Sequence, residues 1–133
     1  MDNEPENIRV EYVENLRTAH MALSVRGDAN ASQRFYEALS AGRIPLFLDT
    51  DCVLPLEEVV AYDHCIVRVP STEIESLGEH AARWYAEKTG AELAATQAAC
   101  RSIFSTYLRL DRYFALVFDA IHSPYRRLLF GKD

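Results

Sequence analysis

With 133 residues, 49% of them hydrophobic, the chain has the material for one globular core and is not disordered throughout. A formal net charge of −6 excludes a broad basic face for nucleic acid but leaves room for a local arginine pocket. No apolar stretch is long enough to cross a bilayer, and the acidic start MDNEPENIR lacks a signal peptide's basic and apolar regions, so the expectation is a cytoplasmic or otherwise soluble chain.

In chain order, residues 1–7 read as a disordered start. Residues 8–19 have the spacing of an amphipathic helix, with Val10, Val13, Leu16 and Tyr12 facing inward. Residues 20–25 are a short apolar run, a strand that stops at Arg26-Gly27. The RGDANA segment, residues 26–31, is rich in turn formers. Ser32 then opens a helix as its N-cap, its hydroxyl suited to accept from a first-turn amide. Phe35, Ala38, Leu39 and Gly42 share the face that would pack on a sheet, and Gly42 supplies the left-handed stop. Residues 44–48 are a second apolar strand. Strand, helix and strand make a βαβ unit, which calls for a buried parallel pair.

Asp49-Thr50-Asp51 follows as a turn, and Pro55 is placed to start a short helix with Glu57 and Glu58 near its positive end. A D-x-D triplet invites a metal-site reading, but two aspartates in a turn are ordinary turn chemistry. Residues 65–69 are a third strand stopped by Pro70. Thr72 and Glu75 are spaced as a capping box for a helix carrying Ile74, Leu77, Ala81, Trp84 and Tyr85, weakened at Gly78 by about 1 kcal/mol and ended by Gly90. Residues 91–121 form a long helical region with a kink near Leu110. Its stripe of Leu93, Cys100, Phe104, Leu108, Phe114, Val117 and Ile121 reads as core. Residues 123–133 are a basic tail with solvated Arg126 and Arg127.

Cys52, Cys65 and Cys100 form no CxxC pair and leave an odd count; Cys65 and Cys100 lie in apolar runs as buried thiols, which fits a reduced compartment. His20, His64, His80 and His122 are scattered, and no cluster has zinc spacing, so no metal is expected.

One place carries a chemical signal. Arg26, Gly27, Ser32 and Arg34 converge at the positive end of one helix, just beyond the carboxyl end of a strand, where an anion would bind. The loop lacks both GxGxxG and GxxxxGK[ST]. Arg34 and Glu37, three apart on a second helix face, read by spacing alone as a solvated surface pair sooner than as ligand groups.

Arg26-Gly27, the S-x-R-F-x-E-A-L run at residues 32–39, A-G-x-I-P-L-x-L at 41–48 and L-P-L-E-E at 54–58 resemble the exostosin-like glycosyltransferases. The likeness extends over roughly residues 8–121 and is sharpest from 26 to 58. It implies the C-terminal, donor-binding half of a GT-B enzyme. The fold would be an α/β, Rossmann-like three-layer domain with a small parallel sheet, spanning residues 8–122. The resemblance implies a UDP- or GDP-sugar as donor. Arg26, Gly27, Ser32 and Arg34 would hold the diphosphate, and Glu37 would take the ribose hydroxyls. It implies no metal or other cofactor, a glycan acceptor of unknown structure, and polysaccharide biosynthesis as the setting. The acceptor-activating base would lie elsewhere, so no catalytic residue is assigned, and the isolated chain is expected to be inactive. Only three strands are visible, so the chain looks truncated relative to the family. It is expected to act with a missing N-terminal domain or to cover its open sheet by self-association. The alternative is a non-catalytic nucleotide- or anion-binding module, or a protein-interaction module, derived from the same family.

Overall fold

The computed structural model describes residues 4–122. Helix α1 spans Glu4–Thr18, so most of the stretch expected to be disordered is helical. Pro5 sits in its first turn, where a missing amide proton is tolerated. Strand β1 is Met21–Ser24, helix α2 Gln33–Ser40, strand β2 Ile44–Asp49 and strand β3 Val67–Pro70. Helices α3 (Leu77–Ala86), α4 (Gly90–Ile103) and α5 (Leu110–His122) follow. The tail at residues 123–133, with Arg126 and Arg127, lies outside the described residues.

The three strands form one parallel sheet in the order β1-β2-β3. The chain is therefore α/β and Rossmann-like, with a small open sheet and helices packed on it. Its register pairs Leu23 with Leu46 and Ser24 with Phe47, then Leu46 with Val67 and Phe47 with Arg68. Parallel partners share a face, so Ser24, Phe47 and Arg68 face one way and Leu23, Leu46 and Val67 the other. Helix α2 packs on the Phe47 face, where Phe35 meets Phe47 and Tyr62 at ring-centroid distances of 5.5 and 5.6 Å. Phe35, Ala38 and Leu39 are fully buried, as the helical spacing requires. Each large apolar side chain so buried stabilises the fold by about 1.5–3 kcal/mol.

Gly42 ends α2 in the left-handed conformation, φ +64°. A Cβ there would also lie 3.3 Å from the Gln97 carbonyl of α4. The thiol of Cys100 on α4 donates to the Cys65 carbonyl at 3.1 Å, fastening α4 to the segment that leads into β3. Both cysteines are buried free thiols, and the hydrogen-bonded contact with Cys65, followed by burial, pushes the Cys100 thiol up.

Several local expectations fail for identifiable reasons. In α1, Tyr12 and Leu16 are half-buried, but Val10 and Val13 are 60% and 43% exposed. The helix meets the domain along a narrow line instead of a broad face. Pro55 starts a single turn, not a helix, because Leu56 takes φ +54° and leaves helical space at once. Cys65 and Ile66 lie before β3, following the short 3-10 turn Tyr62–His64, and Pro70 is the strand's last residue. Thr72 and Glu75 form no capping box. The segment Ser71–Ser76 runs as 3-10 helix with Glu73 off helical geometry, and Ser76 precedes α3. Helix α3 starts only at Leu77, so Gly78 sits in its first turn, and Gly90 opens α4 instead of ending α3. The long helical region does break near Leu110. Phe104–Leu108 widens into a π-helix and Arg109 turns extended, ψ 139°. Beyond that break the apolar stripe leaves the core, since Phe114 and Ile121 are exposed.

Candidate functional site

All three strands run the same way, so their carboxyl ends share one edge of the sheet. Strand β1 ends at Ser24, whose buried hydroxyl donates to the Ala22 carbonyl at 3.3 Å. Val25 and Arg26 then emerge into solvent. The Gly27 amide donates to the Ala31 carbonyl at 2.9 Å, closing the loop on itself. That closure brings the backbone at Arg26, just before it, near the backbone at Ser32, just after it.

Ser32 holds the N-cap position of α2 with extended backbone, φ −125° and ψ 113°. Its expected capping hydrogen bond is not made. The residue is only 6% exposed, and its buried hydroxyl has no partner. The first turn of α2 has no acidic residue, so the positive end of the helix is not neutralised from within.

Arg34 and Glu37 are not a solvated surface pair. Both are half-buried, and both meet Tyr12 of α1. The Arg34 guanidinium lies 4.1 Å from the centroid of the Tyr12 ring, and its buried Nε has no hydrogen-bond partner. The Tyr12 hydroxyl donates to one Glu37 carboxylate oxygen, and Gln33 Nε2 donates to the other at 3.1 Å. Burial, followed by that bond to a carboxylate, raises the Tyr12 phenol above its ordinary pKa. Thus Arg26, Gly27 and Ser32 group around the closed loop, and Arg34 and Glu37 group around Tyr12. Tyr12 is the member that local sequence patterns miss. Its spacing with Leu16 marks an inward line of α1 but not its partners 22 and 25 residues on.

The neighbouring loop is tied to this one. Thr50 Oγ1 donates to Asn30 Oδ1 at 2.6 Å, and Asn30 Nδ2 donates to the Thr50 carbonyl at 3.1 Å. Asp49 is fully engaged in structure. One carboxylate oxygen accepts from Arg68 at 2.9 Å and the other from the Asp51 amide at 2.9 Å. This is the turn reading of the D-x-D triplet. Among the described residues no group of three or more His, Cys, Asp or Glu is placed to hold a metal ion. A cavity of about 290 Å³ opens here, lined by Asp49, Asp51, Arg68, Pro70, Ser71 and Thr72. It lies at the carboxyl ends of β2 and β3, where ligands of open α/β sheets sit. A second cleft of about 460 Å³ runs between Tyr36, the segment 53–58 and Tyr113.

No helix of the described residues is long and apolar enough to cross a membrane. No curated protein matches the chain. The family model of the Exostosin GT47 domain matches residues 1–83, which takes in α1, the whole sheet and most of α3, and leaves α4 and α5 outside the match. With the Arg26 loop, α2 and the parallel sheet all inside the matched region, the chain belongs to the exostosin-like glycosyltransferase family.

Proposed function

We propose that the chain binds the nucleotide part of a nucleotide-sugar donor at the N-terminus of α2, as the donor side of a glycosyltransferase. Arg26, Gly27, Ser32 and Arg34 receive the diphosphate, and Glu37 accepts from the ribose hydroxyls. The observation that carries this is Ser32. A hydroxyl buried at a helix N-cap without a partner costs about 1–3 kcal/mol, and a ligand oxygen placed there relieves it. When the bond from sugar to diphosphate breaks, negative charge gathers on the departing phosphate oxygen. Two guanidinium groups and a helix N-terminus stabilise that charge more in the transition state than in the ground state. No residue of this chain is assigned as the acceptor-activating base. A complementary domain would position the glycan acceptor and exclude water, and without it the proximity contribution to rate is lost.

The engagement of Arg34 and Glu37 by Tyr12 favours one second reading, a family-derived interaction module whose site stays closed. Calorimetric titration separates the two. Saturable heat is expected with UDP or GDP, unchanged by EDTA. Absence of heat with either at millimolar ligand, from folded protein, rejects the donor reading. A manganese-dependent gain that vanishes in Asp49→Ala would reject its metal-free form.

A further inference from the structure

We infer that Tyr12 occupies the ribose position of this site in the ligand-free protein and must exchange with the incoming nucleotide. The inference rests on the donor reading above and adds to it an intramolecular competitor carried by α1. Glu37, assigned to the ribose, and Arg34, assigned to the diphosphate, are both engaged by one side chain. The Tyr12 hydroxyl donates to the Glu37 carboxylate as a ribose hydroxyl would. The Arg34 guanidinium lies over the Tyr12 ring, 4.1 Å from the ring centroid, so the same side chain covers the group that receives the diphosphate. With Gln33 on the remaining carboxylate oxygen, Glu37 has both oxygens engaged before any ligand arrives.

Helix α1 is suited to move. It packs only lightly on the rest of the domain, and Ile8, Val10 and Val13 are exposed. Few buried apolar contacts oppose its displacement, which is the signature of a segment that opens at low free-energy cost. The Arg34 Nε, buried and without an acceptor, marks the closed arrangement as incompletely satisfied. A diphosphate oxygen can supply that acceptor, which a tyrosine ring cannot. Exchange therefore trades one hydroxyl for another at Glu37 and adds an acceptor at Arg34.

The consequence is a fixed reduction in apparent affinity, because only the fraction of molecules with Tyr12 withdrawn is competent to bind. Tyr12→Phe keeps the ring and removes the hydroxyl that holds Glu37. It is expected to tighten UDP or GDP binding by about tenfold or more in calorimetry. In the unaltered chain, saturating nucleotide is expected to speed amide hydrogen exchange in residues 9–16 while slowing it in the loop at residues 26–32. This readout needs no variant to fold. If the unaltered chain binds nucleotide and Tyr12→Phe binds equally or more weakly, Tyr12 supports the site instead of blocking it, and the inference fails alone. Slowed exchange in residues 9–16 on binding would reject it in the same way. If neither protein binds UDP or GDP, the donor reading fails and this inference falls with it.

Discussion

Glu37 is the residue at which a ligand role and a structural role make different numerical demands. As a charged acceptor for ribose, its replacement by Gln costs about 1.5–3 kcal/mol of nucleotide binding. In the free protein an amide oxygen still accepts from Tyr12, so unfolding should shift by less than about 1 kcal/mol. Titration and denaturant unfolding of Glu37→Gln measure the two effects on one protein. A variant that unfolds early yet binds nucleotide like the parent makes Glu37 a structural residue. Residue-scale legibility follows the range of the interaction. Phe35, Ala38 and Leu39 were readable as core because helical spacing alone puts them on one face. Ser32 was readable as an N-cap position, but not its unpartnered hydroxyl, since rotamer and burial depend on packing from elsewhere. Tyr12 was not readable as a partner of Glu37, because 25 residues separate them and no local pattern encodes the pairing.

At the scale of elements, the capping box expected at Thr72 does not form, while one at Thr89, not read from the sequence, does. Thr72 with Glu75 and Thr89 with Glu92 both fit the spacing of a capping box. Only the second forms one. The Thr89 hydroxyl accepts from the Glu92 amide at 3.2 Å, and the Glu92 carboxylate accepts from the Thr89 amide at 2.8 Å. The first is pre-empted by the 3-10 turn after β3, where the Glu73 carboxylate is bonded to His80 at 2.6 Å. Spacing proposes a cap, and the geometry of the preceding strand decides whether it closes. Thr89→Ala should cost about 1 kcal/mol of stability in denaturant unfolding. The pH dependence has a definite sign. Hydrogen bonds from the Thr89 backbone and hydroxyl hold the Glu92 carboxyl below its usual value, so its contribution is present above the unfolded-state pKa. It is lost as pH falls through the lower, folded-state pKa. Acid unfolding curves of the parent and Glu92→Gln should therefore converge at low pH. A constant gap down to the lowest pH would show that the charge of Glu92 plays no part.

For the whole molecule, the unanswered demand is coverage. The strand count and parallel pairing were legible because three apolar runs of strand length are separated by crossover-length segments. The route of the last helix was not, because an apolar stripe does not say what it faces. Among the described residues, β1 and β3 are sheet edges, Leu23 on β1 is 47% exposed, and Phe118 on α5 is 59% exposed. Self-association that buries these surfaces is expected at micromolar protein, giving sedimenting species heavier than the 15.1 kDa chain. Phe118→Glu should return the protein toward monomer. A clean monomer for the parent at those concentrations counts against any such assembly.

The order β1-β2-β3 also governs how the domain can be made. Met21 pairs with Ile44 and Leu46 with Val67, so each strand docks on the one synthesised just before it. Strand insertion between two earlier strands never occurs, and the loop closed at each step is 20-odd residues long, a modest entropy cost. A nascent chain can therefore complete the Arg26 loop, α2 and β2 while α4 and α5 are still unmade. Gly42 and Cys65, the points where α4 later presses on this unit, lie within that early half. Damage to either should slow the last stage of folding more than the first, separating a late docking step from early sheet growth in refolding kinetics.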